Sequence, residues 1–176
     1  MSLMRNRSTR VGVVALSLAA YLGVPADAEE RRQHGAHVHG HATLNVALEG
    51  ETLVAELESP AFNIVGFEHA AETDAEKAGI AQALALLADA GRMFTIPTDA
   101  GCTIVEAHAE HEMESGGHSA FHAHYAWRCT ALDALKTFGL RVFEHFPRTE
   151  EIDAVVLRPS GQSAQELEAD AAELRF

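Results

Sequence analysis

Nine of the chain's eleven histidines fall in two clusters. His34, His37, His39 and His41 lie within "HGAHVHGH". His108, His111, His118, His122 and His124 lie in or beside "AHAEHEMESGGHSAFHAH". Neutral imidazole ligates Zn²⁺, Cu²⁺ and Ni²⁺, and carboxylate oxygens can complete the shell. Glu68, Glu110, Glu112 and Glu114 lie close to histidines in sequence, and hairpin pairing can bring Glu58 to one. Side chains two residues apart on a strand point to the same side. His37, His39 and His41 therefore share a face if extended, and so do His122 and His124. His69 follows Glu68 and joins the candidates as a His–carboxylate pair. His145 stands alone and reads as a surface or core residue.

Other chemistries find little support. "HEMES" at His111 lacks the second histidine of the zinc-protease motif. "GHSAF" at Gly117 is not a nucleophile elbow. The methionines form no thioether cluster of the kind that holds Cu(I). A catalytic zinc needs an open position and a general base, and no motif supplies the base. The residues point to a divalent-metal binder rather than an enzyme, with Zn²⁺, Cu²⁺ and Ni²⁺ as ions of suitable chemistry. The same residues would also suit a general divalent-metal (Cu/Ni) buffer, a pH-sensing module acting through imidazole protonation or, least well, a metal-dependent enzyme.

The elements that must hold these groups show in the periodicity. Ala42, Leu44, Val46 and Leu48 alternate with polar positions, and a second strand runs from about Thr52 to Ser59. A tight turn at Glu49–Gly50 would set Val46 opposite Leu53 and His41 opposite Glu58. "SPAFNIVGFEH" reads as an irregular connection. Thr73 and Glu76 form a capping box before Ile80, Ala83, Leu84 and Leu87, with Gly91 available to end the helix. "CTIVEAHA" and "FHAHYAWRC" read as a second hairpin that sets Cys102 opposite Cys129, the only two cysteines. An even count in an exported chain suggests that they pair. Residues 138–146 and 152–157 read as strands, and "SAQELEADAAEL" as a short helix. The expected fold is α+β: an antiparallel sheet with at least one packed helix and a disulfide-linked hairpin.

Residues 1–28 have the layout of a signal peptide: Arg5, Arg7 and Arg10, then an apolar run from Val11 to Val24, then "ADA". That run is short of the ~20 residues of a spanning helix. Residues 29–41 are expected to be a flexible His-rich arm running into the first strand, and 42–176 a single metal-binding domain. The chain carries a net charge of −13. Loss of the leader leaves ten cations against twenty-five acids, a net −15. So acidic a body repels nucleic acid and attracts metal cations, and no membrane insertion of the mature chain is expected.

The blocks "HVHGHATLNVALEG", "LESPAFNIVGFEH", the cysteines enclosing "HSAF", and "FEHFP…GQSAQEL" occur in this order. The chain resembles the ZrgA-like family of proteobacterial periplasmic zinc-binding proteins over nearly all of its mature length. The resemblance implies a periplasmic zinc carrier working alongside a membrane metal transporter, without catalysis. It maps the family's His-x-His-Gly onto His37, His39 and Gly40, its Phe-Glu-His onto Phe67, Glu68 and His69, and a further histidine onto His118. The family's central loop is often longer and richer in His; here it is short. Combined with the clusters, this gives a defined site from His37, His39 and His41 with His69 or His118. His34, His111, His122 and His124 add weaker, exchangeable ligation.

Overall fold

The structure, a computed structural model, describes residues 38–114 and 116–176. The expected leader, and the arm as far as residue 37 with His34 and His37, lie outside the described residues. The described residues begin with β1 (His41–Glu49) and β2 (Thr52–Pro60). Their alternation buries Ala42, Leu44, Val46 and Leu48 on one strand and Leu53, Ala55 and Leu57 on the other. The turn lies one residue later than expected, because Glu49 pairs with Thr52. Gly50, at φ +60°, thereby takes the first of the two turn positions, where a hairpin turn needs positive φ. The register moves by two, so Thr43 rather than His41 lies opposite Glu58. An even shift leaves every side chain on its expected face.

The connection expected to be irregular contains a short helix, α1 (Ala61–Val65), closed by Gly66 in the left-handed conformation. α2 (Asp74–Leu87) starts at the expected capping box: Thr73 accepts from the Glu76 N–H, and Glu76 accepts from the Thr73 N–H. It stops at Ala88 rather than Gly91, because Asp89 caps a new turn, α3 (Ala90–Met93), by accepting from the Arg92 N–H. β3 (Phe94–Thr95) follows. β4 (Cys102–Met113) and β5 (Ser119–Cys129) form the second hairpin, with Cys102 opposite Cys129 and disulfide-bonded to it. Residues 138–146 do not form one strand. They divide into β6 (Thr137–Leu140) and α4 (Val142–His145). Val142, Phe143 and Phe146 are all buried, a helical spacing that alternation along a strand could not bury together. β7 (Glu151–Arg158) precedes β8 (Gly161–Glu168) and β9 (Glu173–Arg175). The tail expected as a helix is thus two strands. Leu167 pairs with Ile152 and is buried there, so tertiary pairing overrides the helical preference of Gln, Glu and Ala.

The main sheet has the order β4-β5-β2-β1-β7-β8, and β3, β6 and β9 form a smaller one. Every pairing in both is antiparallel except that of β1 with β7, which is parallel. One face of the main sheet joins the core with the helices and the smaller sheet. Phe94 and Phe138 pack there against Trp127, and Phe94 also meets Tyr125. The opposite face carries Glu and His. Among the described residues, no helix is long and apolar enough to cross a membrane. The fold is α+β, with a mostly antiparallel sheet, packed helices and a disulfide-linked hairpin.

Candidate metal centre

The turn Val38–His41 is held by one buried side chain. Asn63, on α1, accepts the Gly40 N–H at 2.8 Å and donates to the His41 carbonyl at 2.9 Å and to the Ser59 hydroxyl at 3.3 Å. From the other side, the Gly40 carbonyl accepts the N–H groups of Glu150 and Glu151 at 2.7 and 3.0 Å. Gly40 lies at φ +89°, and a Cβ there would come within 3.3 Å of the Glu150 carboxyl. Only glycine suits that backbone without strain.

The turn sends its two histidines apart. His39 stacks on Phe62 of α1, with ring centroids 4.1 Å apart, and its Nε2 lies 3.4 Å from Glu68 Oε1. His41 lies on the polar face of the sheet, with Nδ1 3.2 Å from Glu151 Oε1. The structure thus gives His39 and His41 different partners, although they are two residues apart.

Glu68 joins His39 to the second cluster. Its other oxygen, Oε2, lies 2.6 Å from His118 Nδ1, and its carbonyl accepts the Ser119 hydroxyl at 2.8 Å. The carboxylate is only 11% exposed, whereas His39 and His118 are 52% and 59% exposed. Burial pushes the Glu68 carboxyl up, but hydrogen bonds with His118 and His39, and attraction to both rings, outweigh it and hold the group below its ordinary value. An ionised carboxylate only accepts. His118 Nδ1 therefore donates to it, and in the neutral ring Nε2 holds the lone pair that a metal would take. This carboxylate–imidazole pairing is the one that orients ligands around zinc.

His69 is prepared in the same way by the backbone. Its ring stacks on Phe67, and Nδ1 lies 3.0 Å from the Ala70 carbonyl, which can only accept. The basic nitrogen is thus Nε2, which faces Glu76 Oε1 at 3.8 Å. Two acceptors facing each other leave a place for a cation or a proton between them.

The hairpin histidines divide between the two faces. His108 and His124 are cross-strand partners with rings stacked 5.2 Å apart. Each has a carboxylate beside it, Glu106 at 3.4 Å and Glu56 at 3.6 Å. His122 lies between Glu58 and Glu112, at 3.9 and 4.0 Å. His111 points the other way, against Phe121 at 4.8 Å, and burial pushes its imidazole below the ordinary value of 6.5. His145 donates from Nε2 to the Arg92 carbonyl at 3.2 Å, a structural contact.

Glu151 and Asp153 are not among the candidates that the sequence marks. With His41 they place one ligand atom each within 4.8 Å of one another. "EID" shows two carboxylates on one strand face, but their approach to His41 depends on the parallel β1–β7 pairing, which local periodicity does not announce.

No curated protein matches the chain. A family model described as "ZrgA family zinc uptake protein" matches residues 36–176. The match spans β1 through β9, including the turn that carries His39, the Glu68 carboxylate and the hairpin that carries His118. The chain belongs to the ZrgA family of zinc uptake proteins.

Proposed function

We propose that the chain is a periplasmic carrier that captures Zn²⁺ and hands it to a membrane metal transporter, with no catalytic step of its own. The observation that carries this reading is the Glu68 carboxylate lying between His39 and His118 in a zinc uptake family. His39 and His118 offer imidazole nitrogen from the turn and from the start of β5. Glu68 fixes the His118 tautomer and the direction of its ring. His37, two residues before His39, and His69, next to Glu68, are the donors that would complete a four-ligand shell. The imidazoles are half-exposed, which suits an ion that must be passed on. His108, His122 and His124, each beside a carboxylate, supply weaker ligation on the outer sheet face.

Calorimetric titration of Zn²⁺ at pH 7.5, with a competing chelator, tests this reading. The His39→Ala, His118→Ala pair should remove the tightest equivalent. The His122→Ala, His124→Ala pair should mainly lower total capacity. The reading fails if the unaltered chain binds no stoichiometric zinc, or if both variants lose the same class of site.

A further inference from the structure

We propose that His41, Glu151 and Asp153 form a second divalent-cation site, separate from the His39–Glu68–His118 bridge, that takes a zinc-like ion through one nitrogen and two oxygens. The parallel pairing of β1 with β7 sets His41 beside Glu151 and Thr43 beside Asp153. Residues 151 and 153 point to the same side of their strand, so both carboxylates lie on the face that carries His41. One ligand atom from each residue already lies within 4.8 Å of the other two. Bonds of about 2.0–2.2 Å to a tetrahedral ion bring donors to roughly 3.5 Å from one another. Small rotamer changes close that gap, and no backbone movement is needed.

The backbone under the site is fixed. The Gly40 carbonyl takes the Glu150 and Glu151 N–H groups, and Asn63 holds the His41 carbonyl. His41 is 43% and Glu151 23% exposed, open enough to load and sheltered enough for the charge to count. Glu168 and Glu166 lie opposite Glu151 and Asp153 on β8. Oxygens of Glu151, Glu166 and Glu168 also come within 4.8 Å of one another. Crowded carboxylates repel, and a bound dication offsets that repulsion. The imidazole selects a borderline-soft ion over Mg²⁺ or Ca²⁺, which prefer oxygen alone.

The test uses the purified chain. Crystals soaked in ZnCl₂ are measured at the zinc absorption edge, and bound zinc per chain is counted after equilibrium dialysis. The expected result is an anomalous peak within about 2.2 Å of donor atoms on His41, Glu151 and Asp153. Glu151→Gln with Asp153→Asn, near-isosteric changes, should abolish that peak and one equivalent while leaving zinc at His39 and His118. His41→Gln should do the same if the double variant does not fold. No peak here at saturating zinc, or an unchanged equivalent count in the variants, overturns the proposal. A peak here with none at His39 and His118 keeps it and overturns the carrier reading instead.

Discussion

Asn63 touches no ion and yet orders both candidate sites. Its amide spans the Gly40 N–H, the His41 carbonyl and the Ser59 hydroxyl, and its side chain is fully buried. Asn63→Ala leaves buried backbone groups unpaired and should destabilise the domain by about 2 kcal/mol or more. It should also weaken zinc binding at both His39 and His41, and a urea melt with a parallel zinc titration checks the two effects together. Glu68→Gln keeps the shape and removes the charge that fixes the His118 tautomer. The expected loss is about 10–100-fold in zinc affinity with little change in the melt; an equal loss of fold stability would make Glu68 structural. His111 bears on stability. Its imidazole is held below 6.5 by burial against Phe121, so the unfolded chain takes up that proton more readily. Its contribution is complete above about pH 6.5 and is lost as pH falls below it. His111→Phe should therefore flatten the drop in urea midpoint between pH 7 and pH 5.

The two hairpins could be read from sequence because their partners are local. Alternation at Ala42–Leu48 set the buried face, and the mirrored cysteines set the β4–β5 pairing in spite of the β-bulge between Ile104 and Glu106. What could not be read depends on distant partners. β8 lies where a helix was expected because Ile152 of β7 receives Leu167. The separation of His39 from His41 depends on Asn63, twenty-odd residues away, and on Glu150 and Glu151 at the far end of the chain. The Glu68–His118 contact, by contrast, joins two blocks that the family resemblance had already marked. The disulfide belongs to this scale. It closes a separation of 27 residues, worth about 3.5 kcal/mol in the chain-entropy model. Reduction, or Cys102→Ala with Cys129→Ala, should lower the thermal midpoint by about 10 °C. Two reactive thiols in the unreduced, denatured chain would contradict the bond.

Across the whole molecule, one face of the main sheet is core and the other is a field of carboxylates and imidazoles, from Glu106 and His108 on β4 to Glu166 and Glu168 on β8. Such a face draws cations toward it, and the attraction should weaken with salt. Binding itself should depend on pH. Zinc requires deprotonated imidazole, and ordinary imidazole titrates near 6.5, so two or three such ligands should cost roughly two to three orders of magnitude in affinity between pH 7.5 and 5.5. Glu68, held below its ordinary value, stays ionised throughout and cannot supply that change. A shift of less than about threefold would mean that carboxylates carry the binding. The parallel contact of β1 with β7 has a further consequence, in time rather than in space. Among the described residues β1 is the first strand, and its parallel neighbour lies more than a hundred residues later. Pairings of such high contact order form slowly, because a long loop must close before they stabilise anything. A chain ending before Glu151 would leave β1 as an open edge with unpaired backbone groups, prone to self-association. Refolding should therefore be limited by the arrival of β7. The His41–Glu151–Asp153 cluster exists only after that step, so zinc that binds there should slow unfolding without hastening folding.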